Sequence, residues 1–100
     1  MAALERMLEA RPEDVRLKFA VAVELLNANR LDEGIAALRA YLSSTDDEGN
    51  AWGRLASALN EQGRDEEAVE AYQEGIAAAR RYGHPTMAEE FEGELVRLRR

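Results

Sequence analysis

Few side chains in this 100-residue sequence have the identity and spacing that catalysis or metal binding requires. His84 is the single histidine, and it lies in the turn Gly83-His84-Pro85, where we expect it to be exposed. A general base or a metal ligand needs a second group that holds it, so we assign neither role to His84. The chain has no cysteine, which excludes disulfides, thiol catalysis and thiolate metal sites.

An acidic run precedes Gly49, but its spacing does not fit a cation site. Asp46, Asp47 and Glu48 are consecutive, whereas a calcium loop needs alternating ligands and a distal glutamate. We interpret the run as negative charge at the start of a helix. Ser43 and Ser44 have no base near them in the sequence. We therefore predict no catalytic residue, no cofactor and no metal, and we do not expect an enzyme.

Composition and charge restrict the class of protein and of partner. One hundred residues allow one domain, and the formal charge of −7 argues against nucleic acid, whose phosphates attract clustered lysine and arginine. This charge favours an apolar or basic partner surface. Glu5, Arg6 and Glu9 interrupt any signal-peptide core, and no apolar run approaches the roughly 18 residues of a membrane span. We expect a cytoplasmic protein without a membrane partner.

A helical hairpin between Trp52 and Ile76 provides the organising pattern of the chain. Its first apolar stripe has the spacing i, i+3, i+4, i+7 and consists of Trp52, Leu55, Ala56 and Leu59. After Gly63, the second stripe consists of Ala68, Val69, Tyr72 and Ile76. The same pattern occurs 34 residues earlier, in Val21, Ala22 and Leu25 and then in Gly34, Ile35, Leu38 and Leu42. Arg30 and Glu33 likewise precede Arg64 and Glu67 by 34 residues.

A helix–turn–helix unit with this period resembles the tetratricopeptide repeat, and the resemblance extends over nearly the whole chain. It implies an all-α fold, a right-handed α-α superhelix of helical hairpins. The implied organisation is a single domain with a half-repeat at 1–12, complete repeats at 15–48 and 49–82, and a capping helix at 85–100. The sequence departs from the family pattern at Lys18, which takes the tryptophan position, and at Tyr41, where a small residue is usual. We expect adjusted helix packing near Tyr41.

The pattern predicts six helices, at about 2–10, 13–28, 31–43, 47–62, 65–82 and 86–99. Two capping-box patterns, Thr45-x-x-Glu48 and Thr86-x-x-Glu89, predict the starts of the fourth and sixth helices. The sixth helix is interpreted as a cap that covers the last hairpin and gives the array a polar end. Trp52 is predicted to belong to the core of its hairpin.

In the family that this chain resembles, the first helices of successive repeats line a concave groove. Phe19, Val23 and Leu26 are not needed for the stripe that faces their own hairpin, and Gly53 and Ser57 lack bulk. These features predict a shallow apolar pocket with a polar rim. The predicted partner-binding residues are Arg16, Phe19, Val23, Leu26, Asn27, Asn50, Gly53, Arg54, Ser57 and Asn60.

The resemblance implies a non-catalytic protein–protein interaction module, a scaffold or adaptor that binds a peptide or helix in this groove. Some family members hold the C-terminal carboxylate of a partner, but here the matching positions are Phe19, Val23, Arg54, Thr86 and Glu90. Only Arg54 among them could hold a carboxylate, so we do not transfer that activity. The alternative is a self-associating structural subunit in which the apolar face of the second helix forms a homodimer interface.

Overall fold

A computed structural model describes residues 2–100, whose regular structure is six α-helices. The helices are α1 (Ala2–Ala10), α2 (Val15–Asn27), α3 (Leu31–Ser44), α4 (Asn50–Glu61), α5 (Asp65–Arg81) and α6 (Pro85–Leu98). The predicted all-α class and the number of helices are confirmed. None of the described helices is both long and apolar enough to cross a bilayer.

The helices form two compact units, which divide between Asp46 and Asp47. The first unit contains α1, α2 and α3, and its core is made by the α2–α3 hairpin. The predicted apolar stripe of α2 is buried, together with two residues of α3; the set is Val21, Ala22, Leu25, Ile35 and Leu38. Leu38 is fully buried. Moving a leucine side chain from water into the core favours folding by about 1.5–3 kcal/mol.

The second unit contains α4, α5 and α6. Leu55 and Leu59 of α4 are fully buried, and Tyr72 and Ile76 of α5 lie in the same core. Because these residues are spaced by three or four along each helix, each helix directs one continuous apolar stripe inward. Trp52, the first residue of the α4 stripe, is half-buried.

The turns of the two hairpins repeat the same backbone geometry 34 residues apart. Asn29 has φ 61° and Gly63 has φ 74°, both in the left-handed region, which glycine and asparagine adopt most readily. The next residue of each turn, Arg30 or Arg64, donates its amide to the carbonyl of Leu25 or Leu59 over 2.9 Å. These bonds satisfy carbonyls at the end of the first helix.

Each hairpin also repeats an ion pair at the start of its second helix. Arg30 Nη2 lies 2.6 Å from Glu33 Oε2, and Arg64 Nη2 lies 2.6 Å from Glu67 Oε2. The hydrogen bond from Arg30 lowers the pKa of Glu33 below its usual value. The 34-residue period therefore extends from the core to the surface side chains.

The start of α4 differs from the prediction. The helix begins at Asn50, and Thr45 is an extended residue that ends α3. Asp47 provides the cap instead: its Oδ2 accepts hydrogen bonds from the amides of Gly49 over 2.8 Å and Ala51 over 2.9 Å. Gly49 has φ 125°, a conformation in which a side chain would be strained. The capping-box prediction at Thr45 was therefore wrong.

The starts of α2 and α6 also differ from the predictions. Asp14 is the cap of α2, because its side chain accepts hydrogen bonds from the amides of Arg16 and Leu17. That helix therefore begins at Val15 rather than near residue 13. The sixth helix begins at Pro85, whose fixed φ suits the first helical position. His84 precedes it without a side-chain cap, so the capping box predicted at Thr86 was wrong.

Replacing the buried cap of α4 should destabilise the second unit. We expect Asp47→Ala to lower the free energy of unfolding by about 1–3 kcal/mol, because two buried amides lose their acceptor. The measurement is urea unfolding followed by circular dichroism at 222 nm. Asp32→Ala is the control, since Asp32 is an exposed first-turn carboxylate of α3. Equal losses in the two variants would contradict the capping role of Asp47.

Candidate partner-binding surfaces

The predicted partner-binding residues of α2 form a mixed polar and apolar face. Arg16 and Asn27, at the two ends of the helix, are exposed, whereas Phe19, Val23 and Leu26 are half-buried. The spacing of three or four residues places all five along one side of α2. This side differs from the stripe that forms the core of the hairpin.

Two of the apolar residues on this face also contact α3. The rings of Phe19 and Tyr41 lie 5.1 Å apart between centroids and are tilted by 48°, a favourable geometry for an aromatic pair. The side chain of Leu26 covers Gly34 so closely that a Cβ at Gly34 would lie 2.5 Å from Leu26 Cδ2. The tyrosine at position 41 thus packs against Phe19, and only part of each apolar side chain remains for a partner.

The predicted residues of α4 form a more polar face. Asn50, Arg54 and Ser57 are exposed, and Gly53 and Asn60 are half-buried. Four of the five positions correspond to α2 positions 34 residues earlier. Because the repeat keeps its phase, the same side of each first helix carries the predicted residues. The α4 face supplies amide, hydroxyl and guanidinium groups where α2 supplies mainly apolar side chains.

The space beside Gly53 is occupied by a residue of α6. A Cβ at Gly53 would lie 2.6 Å from Phe91 Cζ, and a Cβ at Gly75 of α5 would lie 2.9 Å from Phe91 Cε2. The Phe91 ring therefore lies in a slot between two glycines, and it also packs against Tyr72 with centroids 5.6 Å apart. Sequence reasoning missed this contact, although glycines on α4 and α5 and an aromatic residue on α6 were its signal.

Beside this slot lies a pocket of about 580 Å³, formed within the second unit by α4, α5 and α6. Gly53, Ser57 and Asn60 line it from α4, Tyr72 from α5, and Glu90, Phe91, Glu94 and Arg97 from α6. Three predicted partner-binding residues therefore lie around one pocket. The volume falls within the range of about 300–1,000 Å³ that ligand pockets occupy.

Ionisable groups at this pocket shift the pKa values of their neighbours. Arg97 donates through Nε to Glu94 Oε2 over 3.0 Å, and this hydrogen bond raises the pKa of Arg97 above its usual value. Burial raises the pKa of the Tyr72 phenol, and the charge of Glu94 raises it further. The pocket thus combines aromatic rings, neutral polar groups and carboxylates.

His84 has a partner that sequence reasoning missed. Its Nε2 lies 2.6 Å from Glu48 Oε1, and its side chain is 41% exposed. The pair joins the loop before α4 to the turn before α6, and 36 residues separate the two partners in the chain. In residues 2–100, no group of three or more His, Asp or Glu side chains is arranged to hold a metal ion.

Comparison with known proteins places this arrangement in a family. The family model described as tetratricopeptide repeat matches residues 2–48 and, in a second overlapping match, residues 19–83. A comparison with curated proteins gives no match.

Three of the solved structures that are similar to this chain come from two organisms. A solution structure of a protein from Bordetella parapertussis is 29% identical, with a TM-score of 0.82, covering 97% of this chain and 84% of the other. A tetratricopeptide repeat domain protein from Salinibacter ruber, solved by NMR, is 22% identical with a TM-score of 0.77, covering 87% and 88% of the two chains. A crystal structure of a tetratricopeptide repeat domain protein from the same organism is 20% identical with a TM-score of 0.77, covering 86% and 97%.

Two glycine substitutions should have opposite effects on stability. Gly53→Ala places a methyl group against the Phe91 ring, so we expect a loss of about 1–3 kcal/mol in the free energy of unfolding. Gly93→Ala, in the interior of α6, meets no atom within 4 Å and should stabilise by about 0.5–1 kcal/mol through helix propensity. Urea unfolding measures both. A Gly53→Ala variant as stable as Gly93→Ala would contradict the close approach of Phe91.

The raised pKa of Tyr72 predicts a pH dependence of stability. The folded chain holds the phenolic proton more tightly than the unfolded chain, so this contribution is fully present below about pH 10 and is lost as pH rises through the raised pKa. We expect Tyr72→Phe to lose less unfolding free energy than the wild type over this alkaline range. Urea unfolding at a series of pH values measures the difference.

A second variant separates the two causes of this shift. Glu94→Gln should also reduce the loss of unfolding free energy at alkaline pH, but by less than Tyr72→Phe does. Burial, which this variant leaves in place, is the larger cause of the raised pKa of Tyr72. Parallel loss of stability in the wild type and Tyr72→Phe would show that the Tyr72 phenol does not contribute.

Proposed function

Because this chain belongs to the tetratricopeptide repeat family, whose members are generally non-catalytic protein-interaction scaffolds, we propose that it binds a peptide or helix of a protein partner. The contact surfaces in this proposal are the face of α2 that carries Phe19 and Val23 and the face of α4 that carries Asn50, Arg54 and Ser57. The chain acts as a scaffold or adaptor and performs no reaction of its own.

The observation that supports this proposal is the placement of side chains along the two first helices. The stripes that contain Val21, Leu25, Leu55 and Leu59 are buried within the hairpins. The predicted faces lie on another side of each helix, and Arg16, Asn27, Asn50, Arg54 and Ser57 on them are exposed. Each helix thus holds its own exposed side chains in place before any partner arrives, which limits the entropy lost on binding.

The two faces offer different chemical groups to a partner. An apolar side chain of the partner packs against Phe19 and Val23, where part of each side chain remains accessible. Main-chain and polar groups of the partner hydrogen-bond to the amides of Asn50 and Asn60 and to the Ser57 hydroxyl. An extended peptide or an amphipathic helix has both kinds of group, and the formal charge of −7 favours one with basic residues.

A matched pair of variants tests this proposal. Ser57 and Ala77 are small, exposed residues within α4 and α5, and Ala77 lies outside the predicted faces. Peptides are selected from a random display library against the wild type, and their affinities are measured by fluorescence anisotropy. We expect Ser57→Arg to weaken binding at least tenfold, or about 1.4 kcal/mol, because the long side chain covers the α4 face. Ala77→Arg should bind as the wild type does.

Two outcomes would overturn the proposal. Peptides that bind Ser57→Arg and the wild type equally would show that the α4 face is not the contact surface. A selection without binders, together with a mass that rises with concentration in light scattering, would favour the homodimer through the apolar face of α2. Circular dichroism spectra of both variants establish that each remains folded.

A further inference from the structure

The pocket formed by α4, α5 and α6 has a chemical character that selects one class of partner side chain. Phe91, held between Gly53 and Gly75, lines it together with Tyr72. Ser57 and Asn60 present polar groups from α4. An aromatic surface beside polar groups suits a ligand that is apolar along its length and polar at its end.

Two carboxylates of α6 line the same pocket, and they differ in their pairing. Glu94 receives hydrogen bonds from Arg97. Glu90, one helical turn before it, makes no ion pair with any residue in the described part of the chain. A partner cation would therefore find one carboxylate already neutralised and one available, close to an aromatic ring.

The charge around the pocket also favours a cation. The second unit, which begins at Asp47, contains 12 acidic and seven basic side chains and has a formal charge of −5. A field of this sign raises the local concentration of cationic groups and disfavours anions. A metal ion is a poorer occupant than an organic cation, because metal ions need several ligands at short distance and five of the eight lining residues are aromatic or neutral.

We propose that this pocket binds a lysine or arginine side chain of the peptide partner, with the cationic head on Glu90 and the aliphatic stem against Phe91. The proposal rests on the proposed function, since it assigns a residue class to the peptide. Long basic side chains pack their methylene groups on apolar surfaces while the charged end reaches polar groups, and aromatic ring faces attract cations. The Glu94–Arg97 pair shows the same guanidinium–carboxylate chemistry at the pocket.

Three short peptides test this proposal directly. Acetyl-Ala-Arg-Ala-amide is titrated into the ¹⁵N-labelled wild-type chain, and its analogues with norleucine or glutamate in place of arginine are titrated in parallel. We expect the arginine peptide to shift the amide signals of residues 53–60 and 90–97 in a saturable manner. The norleucine peptide should bind roughly fivefold more weakly, since it lacks the ion pair with the exposed carboxylate of Glu90, and the glutamate peptide should not bind.

Two isosteric variants of α6 identify the carboxylate. Glu90→Gln should weaken binding of the arginine peptide roughly fivefold, because it removes an exposed ion pair. Glu89→Gln, which makes the same charge change at an exposed neighbour outside the pocket, should leave the affinity unchanged. Equal affinities for the arginine and norleucine peptides, or equal effects of the two variants, would overturn the proposal.

The peptides selected by display distinguish failure of this proposal from failure of the proposed function. If they contain lysine or arginine, and if replacing that residue by norleucine weakens binding to the wild type but not to Glu90→Gln, the proposal is supported. If they bind through the α4 face without any contribution from a basic residue, the pocket assignment fails while the peptide-binding function stands.

Discussion

Closure of the hairpin turn is the constraint on which the rest of this structure depends. Each hairpin reverses direction over a few residues, which requires one residue in the left-handed region. Asn29 and Gly63 fill that role, and the amide that follows each of them bonds to the carbonyl of Leu25 or Leu59. Both leucines are also buried core residues. The same leucine thus accepts the hydrogen bond of the turn and packs in the core, so the turn sets the register in which the two helices pack.

The last helix is more than a cover for the last hairpin. Because Gly53 and Gly75 have no side chains, the Phe91 ring enters between α4 and α5 and packs on Tyr72. This contact uses apolar surface that the sequence pattern assigned to a partner. It also creates a new pocket, since Glu90, Glu94 and Arg97 follow Phe91 along the same helix. The accessible surface of α4 is thus defined jointly by α4 and α6.

Local periodicity predicts the helices and the core of this chain well, because core residues occur at every third or fourth position along each helix. It fails where an interaction is not periodic. The cap of α4 depends on the backbone of Gly49, whose φ of 125° lets Asp47 reach two amides. The contacts between Gly53 and Phe91 and between Glu48 and His84 join residues more than 35 positions apart. No pattern within one helix contains that information.

Comparing the two hairpins within the chain separates the demands of folding from those of recognition. At the core positions the residue class is kept: Val21 and Leu55, Ala22 and Ala56, and Leu25 and Leu59 are apolar pairs of similar role. On the predicted partner-binding faces the class changes from Phe19 to Gly53, from Val23 to Ser57 and from Leu26 to Asn60. Packing restricts the first set, because a core tolerates few changes in volume. The second set packs differently in the two hairpins, because Phe19 contacts Tyr41 whereas Gly53 makes room for Phe91. The part of these faces that stays exposed is therefore where binding specificity can be encoded without altering the repeat.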